Sequence, residues 1–267
     1  MSGKFSVVTT FHQPGYVTYG KRMINTFLQN WPTNVNLYVY AEDCQVNESA
    51  SNLHVLNLHQ VSPELVSFKQ QWSNDPRATG KQALGPADKK GKQPGIGFKW
   101  DAVRFAHKVY SIFHAARTCS TEWLLWMDAD TVCHSPISND QLEHFCQGEL
   151  CFLGRKNKYT ECGLYAMNLT SSACQQFLQK FQEYYDNAET GIFTLAEWHD
   201  SFVFDAVRTQ VPMIELDWAQ GLIKGEGHPL INSEWGAYLD HLKGDRKQLG
   251  RSKAKDLRVH RTEGYWQ

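Results

Sequence analysis

Two short motifs in this sequence contain residues that could do metal-assisted chemistry. The first is Asp128-Ala129-Asp130, which follows the apolar run Trp123–Met127 directly. Such a run predicts a central strand, and ligands of open α/β sheets bind outside the carboxyl ends of their strands. Two carboxylates at that place offer the oxygen ligands that a hard divalent cation prefers. The alternative is a polar strand end in which one aspartate caps the next turn.

The second motif is an H-x-x-G-x-x-K pattern made by His241, Gly244 and Lys247. An imidazole can complete a Mn²⁺ site, and a glycine lets the backbone approach an anion closely. A lysine meets a phosphate as a compact point charge. A plain surface turn fits the same spacing, so this motif gains weight only beside the first one.

The periodicity of the apolar residues predicts an α/β chain. Strand-like runs lie near 5–11, 35–40, 53–58, 123–127, 149–153, 163–168 and 213–217, and helical patterns lie near 19–28, 98–117, 139–145, 171–185 and 198–208. The order strand, helix, strand, strand at the N-terminus predicts a mostly parallel central sheet with helices on both faces. No repeat or clear linker interrupts this pattern, so we expect a single domain over residues 1–267.

Residues 74–97 break the pattern. They contain five glycines, three prolines and five lysines or arginines, but few large apolar side chains. A loop of this length inside a domain is typically functional or disordered. We expect a mobile loop here, either a solvated insertion or a lid over a substrate.

The charge of the chain is nearly balanced but unevenly distributed. A net charge of −1 argues against a broad nucleic-acid footprint, and 42% hydrophobic residues argue against disorder. Residues 243–261 nevertheless hold eight lysines or arginines against two aspartates. This basic C-terminal segment could contact an anionic surface. Seven cysteines without a C-x-x-C pair, and no apolar run of membrane-spanning length, predict a cytoplasmic protein.

Together, the two motifs resemble those of nucleotide-sugar glycosyltransferases with the GT-A fold. Trp126–Val132 looks like the D-x-D strand end of that fold, and His241–Lys247 looks like the C-terminal motif of the glycogenin and lipopolysaccharide galactosyltransferase group, family 8. The resemblance implies a Rossmann-like α/β domain. It also implies transfer of a sugar, with retention, from a nucleoside-diphosphate sugar to an acceptor hydroxyl, and UDP is the nucleotide we expect.

The resemblance also assigns donor-binding residues. Asp128, Asp130 and His241 would hold Mn²⁺ or Mg²⁺ against the diphosphate, and Gly244 and Lys247 would contact its phosphates. A further set of residues would contact the phosphate, the donor sugar or the nucleotide base: Lys99 and Arg104 on the helix before the D-x-D strand, and Thr9, Thr10 and Tyr16 after the first strand. Tyr16 would stack on the base.

Catalytic roles fall to three residues. Lys247 would neutralise charge on the departing diphosphate. Glu161 lies in a segment resembling the N-A-G or E-T-G sequence that faces the donor sugar, and Asp200 lies in one resembling the D-Q sequence near the reacting carbon. In a retaining enzyme Asp200 would position the sugars, whereas in an inverting one it would be the general base.

Other functions remain as alternatives. A nucleotidyltransferase would need a glycine-rich basic loop after the first strand, but Thr9–Tyr19 has only Gly15 and no basic residue. A non-catalytic nucleotide- or carbohydrate-binding module would keep the fold with a vestigial metal site. The acceptor, whether a glycan, a lipid-linked sugar or a protein, is not specified, and Trp235 is a candidate to stack on it.

Overall fold

The structure, a computed structural model, describes residues 3–222 and 228–267, and eleven strands lie within them. The strands are β1 Phe5–His12, β2 Asn36–Glu42, β3 Leu53–Asn57, β4 Thr79–Lys81, β5 Ile96–Asp101, β6 Trp123–Met127, β7 Thr131–Cys133, β8 Leu150–Phe152, β9 Leu164–Asn168, β10 Glu215–Asp217 and β11 Leu239–His241. Those that match predicted runs do so within one or two residues at most ends, the usual uncertainty of element boundaries.

The α-helices of the same residues alternate with these strands. They are α1 Gln13–Gly15, α2 Lys21–Asn30, α3 Leu58–Val61, α4 Pro63–Trp72, α5 Ala102–Thr118, α6 Asn139–Phe145, α7 Ser172–Asp186, α8 Asp200–Arg208, α9 Pro229–Asn232 and α10 Arg246–Leu249. A π-helical turn, Tyr16–Gly20, joins α1 to α2, and short 3₁₀ helices occur at Ile192–Thr194, Glu234–Ala237, Ala254–Asp256 and Gly264–Trp266. None of the helices in the described ranges has the length and apolar character needed to cross a bilayer.

Seven strands form the central sheet in the order β10-β8-β9-β6-β1-β2-β3. Parallel pairing joins β6, β1, β2 and β3, and also β10 and β8, while β9 runs antiparallel to both of its neighbours. The predicted mostly parallel sheet is therefore confirmed. The chain moves outward from β1 to β3 and then returns to the other side of β1 at β6, which creates a switch point between β1 and β6. Ligands bind at such points.

Helices cover both faces of this sheet, as expected. Successive side chains of a strand point to opposite faces. Accordingly, Val8 and Trp126 pack in the core formed with α4, α5, α7 and α8, whereas Val7 and Met127 pack in the core formed with α2 and α6. The central strands β1 and β6 are thus buried on both sides, and only their ends can reach a solvent-filled site.

Regular structure occurs where a loop was predicted at 74–97. β4 lies inside this stretch and pairs antiparallel with β5, which begins at Ile96. The approach is close, because a Cβ on Gly80 would lie 2.4 Å from the carbonyl oxygen of Gly97. The predicted helix start at residue 98 is wrong, because pairing with β4 keeps the chain extended as far as Asp101. Asp101 then caps α5 by accepting a hydrogen bond from the Arg104 N–H. The mobility of residues 74–97 stays a prediction.

Trp235 belongs to the core, so its predicted role as an exposed stacking platform for the acceptor is wrong. Its side chain is fully buried, and its ring lies 4.1 Å from that of Phe145 in a stacked arrangement. Burial of a large aromatic side chain contributes several times more to stability than an exposed one can.

We therefore expect Trp235→Ala to lower the free energy of unfolding by about 3–5 kcal/mol, measured by urea denaturation. Phe98, which is 58% exposed, provides the control. Phe98→Ala is expected to change the free energy of unfolding by no more than about 0.5 kcal/mol. An unchanged urea midpoint for the Trp235 variant would contradict its placement in the core.

Candidate functional site

The two sequence motifs meet because a short strand returns to the end of the central sheet. β11 pairs antiparallel with β7, which places His241 opposite Thr131, next to Asp130. The Leu242 N–H also donates to the Asp130 carbonyl at 2.8 Å. Two segments more than a hundred residues apart are thereby joined at the carboxyl end of β6. This backbone pairing fixes where the imidazole lies relative to the two carboxylates.

Asp128, Asp130 and His241 form a compact set of metal-ligand types. The His241 Nε2 atom lies 2.9 Å from Asp130 Oδ1 and 3.4 Å from Asp128 Oδ2. One ligand atom from each residue falls within 4.8 Å of the others. Within the described residues, neither buried ring nitrogen of His241 has an aligned hydrogen-bond partner. An unsatisfied imidazole beside two carboxylates fits a divalent cation.

The charges around His241 favour a positive charge in this set. Burial favours the neutral imidazole, but the neighbouring Asp130 and Asp128 outweigh it and raise the pKa of His241 to about 9. Burial likewise opposes ionisation of Asp128, yet the Lys108 ammonium and His241 hold the pKa of that carboxyl far below its usual range. The pKa of Asp130 is also lowered, against its burial, chiefly by His241. The site is therefore built to hold positive charge next to two ionised aspartates.

Lys108 is the most important site residue that sequence reasoning missed. Its ammonium lies 2.6 Å from Asp200 Oδ2 and 3.1 Å from Asp128 Oδ1, and 4.6 Å above the centre of the Trp126 ring. The side chain is only 8% exposed. Burial lowers its pKa, but the two carboxylates dominate and hold the pKa well above the ordinary lysine value. Lys108 thus ties the D-x-D strand to the first turn of α8.

A signal for Lys108 was present in the sequence. The residues that follow it, 109–113, are apolar except for Ser111, so this part of α5 is hydrophobic nearly all round. Such a helix is buried on all sides. A lysine at its edge must then find carboxylate partners, because a buried unpaired charge is costly.

Glu161 lies on the other side of His241. It is almost fully buried, one carboxylate oxygen contacts the Lys243 ammonium, and Arg155 Nη1 lies 3.4 Å from the other. Burial raises the pKa of this carboxyl, but surrounding histidine, lysine and arginine side chains outweigh it and lower the pKa to about 2. Its Oε1 atom lies 3.9 Å from His241 Nδ1. Glu161 therefore faces the metal-ligand set as well as the cleft.

Most of the predicted site residues line one cleft of about 880 Å³. The sequence-predicted members are Lys99, Arg104, Asp128, Asp130, Glu161, Asp200, His241, Gly244 and Lys247. Lys247 Nζ lies 2.9 Å from Asp130 Oδ2. Gly244 adopts φ 61°, a left-handed conformation that favours glycine, and a Cβ there would meet no atom within 4 Å. The turn therefore leaves open space beside the backbone, where an anion could approach.

Lys99 lies in the cleft, but not at the start of a helix as predicted. It belongs to β5, and its ammonium donates to Glu197 Oε1 at 2.7 Å and to the Tyr159 hydroxyl at 3.3 Å. Phe98 beside it is exposed and, with Tyr159, adds aromatic rings to the cleft wall. Sequence reasoning missed this aromatic wall, because it assigned residue 98 to a helix.

Thr9, Thr10 and Tyr16 do not line the cleft. Thr9 is buried within β1, and the Thr10 hydroxyl donates to the Tyr40 carbonyl at 2.7 Å. Tyr16 is 4% exposed, stacks on Phe11 and donates its hydroxyl to Glu48 at 2.8 Å. The chain continues from β1 directly into helical turns, and these turn Tyr16 inward. This arrangement does not favour the predicted stacking of Tyr16 on a base.

No protein-family model matches this chain, and no curated protein matches it. Among solved structures it is similar to the bifunctional glycosyltransferase WbbM, with 9% identity over 82% of this chain and a TM-score of 0.46. Mouse xyloside xylosyltransferase 1 gives 11% identity over 80% and a TM-score of 0.44, and GlyE of Streptococcus pneumoniae TIGR4 gives 11%, 80% and 0.42. The chain covers 39%, 84% and 45% of these three proteins.

These likenesses leave the chemistry of the site to be argued from its own residues. All three TM-scores lie below 0.5 and all three identities below 12%. The separations between charged groups, their burial and their positions at the strand ends are the observations that bear on function.

Gly163 gives a test of the position of His241. A Cβ at Gly163 would lie 2.3 Å from His241 Cε1, so Gly163→Ala must displace the imidazole. We expect this variant to bind Mn²⁺ about 10–100-fold more weakly in calorimetry, the size of effect seen when a metal-bound histidine loses its support. Gly264→Ala is the control, since a Cβ there meets no atom within 4 Å. Equal Mn²⁺ affinity of both variants would contradict a ligand role for His241.

Lys108→Met should destabilise the fold strongly. Removing the ammonium leaves Asp128 and Asp200 without their shared partner, and breaking a buried ion pair on one side costs about 3–5 kcal/mol. Lys158→Met, a change at an exposed cleft residue, should alter the free energy of unfolding by less than about 0.5 kcal/mol. Denaturant titration of both variants provides the measurement, and similar small losses in the two would contradict the central role of Lys108.

Proposed function

We propose that this chain is a metal-dependent glycosyltransferase that moves a sugar from a nucleoside-diphosphate sugar to an acceptor hydroxyl. The observation that carries the proposal is the meeting of Asp128, Asp130, His241 and Lys247 at the carboxyl end of the central strand β6. The fold class agrees with the resemblance to GT-A enzymes, and the similar solved structures bear glycosyltransferase names.

The donor diphosphate would bind where cationic groups converge. Asp128, Asp130 and His241 would hold Mn²⁺ or Mg²⁺, and the cation would stabilise negative charge on the departing nucleoside diphosphate. The Lys247 side chain is 32% exposed, so its ammonium can turn from Asp130 to a phosphate at little cost. The open backbone at Gly244 admits a phosphate oxygen beside it. UDP is the nucleotide we propose, on the strength of the family resemblance.

The donor sugar would lie between Glu161 and Asp200. Both carboxylates line the cleft, and cations hold both in place: Lys108 fixes Asp200, and Arg155 with Lys243 fixes Glu161. Because the Lys108 ammonium occupies Asp200 Oδ2, we propose that Asp200 positions the sugar in a retaining reaction. Inversion is the alternative, in which Asp200 accepts the proton of the acceptor hydroxyl.

The acceptor would enter along the side of the cleft formed by β5. Phe98 and Tyr159 supply aromatic surfaces there, and Lys99 and Glu197 supply polar groups, a combination suited to a sugar ring with one apolar face. Residues 13–20 form helical turns rather than a glycine-rich phosphate loop, which disfavours a nucleotidyltransferase.

UDP is expected to raise the melting temperature of the protein only when Mn²⁺ is present, because the cation joins the diphosphate to Asp128 and Asp130. A thermal-shift assay with Mn²⁺ or with EDTA measures this. Asp130→Asn keeps the side-chain shape and should abolish both the Mn²⁺-dependent shift and the hydrolysis of the donor. Equal stabilisation by UDP in EDTA would contradict a metal-bridged site. Binding of UDP without hydrolysis or transfer of the donor sugar would instead favour a non-catalytic binding module.

A further inference from the structure

His241 has a second metal-ligand environment on the opposite edge of its ring. Its Nε2 atom lies near Asp128 and Asp130, whereas its Nδ1 atom lies 3.9 Å from Glu161 Oε1. Ligand atoms of Glu161, His228 and His241 fall within 4.8 Å of one another, and all three side chains are buried. No predicted role accounts for His228, which did not appear among the candidate residues.

His228 is unsatisfied in this environment. It is 7% exposed, and within residues 3–222 and 228–267 neither of its ring nitrogens has a hydrogen-bond partner. Its ring meets that of His241 edge to face, with centroids 4.9 Å apart. Because neither nitrogen of this buried ring is engaged, His228 can turn a nitrogen lone pair to a metal without breaking a hydrogen bond within these ranges. Buried polar groups without partners are rare, and a bound ion is one explanation for them.

We propose that Glu161, His228 and His241 form a second metal site, specific for Zn²⁺, that competes with the donor-metal site for His241. Two imidazoles and one carboxylate are a common zinc ligand set that leaves an open position. The D-x-D set has more oxygen ligands and suits Mn²⁺ or Mg²⁺ instead. The two sites thus differ in the ion they prefer while sharing one imidazole.

The contacts around His241 explain how the competition works. With Zn²⁺ on Nδ1, the remaining proton would lie on Nε2, and a small rotation of the ring would align it with Asp130 Oδ1, which is 2.9 Å from Nε2. Metal-bound histidines usually donate their other ring N–H to a carboxylate, a backbone carbonyl or a water molecule. Nε2 is then no longer a ligand for the donor metal. The consequence for catalysis rests on the proposed function, but the binding of Zn²⁺ does not.

A metal ion can replace Lys243 as the positively charged partner of Glu161. In the structure, the Lys243 ammonium supplies the positive charge beside Glu161. The Lys243 side chain is 40% exposed, so the ammonium can move into water when a metal ion binds. Glu161 and His241 both line the cleft, which gives a Zn²⁺ ion a route to the buried ligands. The ion therefore replaces an existing cation rather than adding charge to a filled site.

Zn²⁺ titration of the Asp128→Asn protein, followed by calorimetry, tests the site, because this variant weakens the D-x-D set and leaves the second set intact. We expect one Zn²⁺ per chain. Adding His228→Gln should weaken Zn²⁺ binding more than about 100-fold, because it removes a direct ligand. Loss of a group that only hydrogen-bonds to a ligand costs about 10–100-fold. Glu161→Gln, which removes another proposed ligand, should weaken Zn²⁺ binding to a similar extent. Agreement between the two variants would show that the loss does not come from misfolding of one of them. His144→Gln, at an exposed histidine, should leave binding unchanged.

Displacement of Mn²⁺ tests the competition. In the wild-type chain, Zn²⁺ should release bound Mn²⁺, seen as the free-ion signal in electron paramagnetic resonance, and His228→Gln should shift this release to higher Zn²⁺ by more than tenfold. Unchanged Zn²⁺ affinity in the His228 variants would overturn the proposal. So would simultaneous binding of both ions by the wild type. Neither result bears on the UDP-dependent thermal shift, so the proposed function is tested separately.

Discussion

The burial of four carboxylates in one cleft is the constraint on which the rest of this site depends. Asp128, Asp130, Glu161 and Asp200 all line it, and each is at most 29% exposed. Such a group of charges would be unstable without partners. The cations that neutralise them in the described residues are Lys108, Arg155, His241, Lys243 and Lys247. They come from separate parts of the chain, so correct folding and charge balance at the site require each other.

The fold meets this constraint with a few backbone connections. Pairing of β11 with β7 brings in His241, and the turn after β11 brings in Lys247. Helix α5 crosses behind the sheet and carries Lys108 between the D-x-D strand and α8. The Asp128 N–H also donates to the Gly163 carbonyl at 2.8 Å, which holds the segment of Glu161 beside β6. Strand ends, one helix and one returning segment thus converge on the switch point of the sheet.

Sequence reasoning recovered the parts of this design that have local signals. A run of apolar residues ending in two aspartates predicts a central strand with carboxylates at its end, and the spacing of His241, Gly244 and Lys247 predicts a turn. Lys108 was missed because it lies beside the apolar stripe of α5. The apolar residues after it indicate that it is buried, but only the tertiary structure identifies Asp128 and Asp200 as its partners. Phe98 was misassigned because helix periodicity extended across β5, where pairing with β4 overrides it.

Many cations of the basic C-terminal segment, residues 243–261, form ion pairs in the folded chain. Among its eight cations, those with ion-pair partners in the described residues are Lys243, Arg246, Lys247, Lys253 and Arg261. Lys243 pairs with Glu161 and Lys247 with Asp130 inside the cleft. Part of the local positive charge therefore balances acidic residues that lie just after β6 and just before β9. Arg251, Lys255 and Arg258 have no such partner among those residues. The segment therefore has fewer unpaired cations to offer an anionic surface than the sequence count suggests, because two of its lysines pair with carboxylates of the cleft.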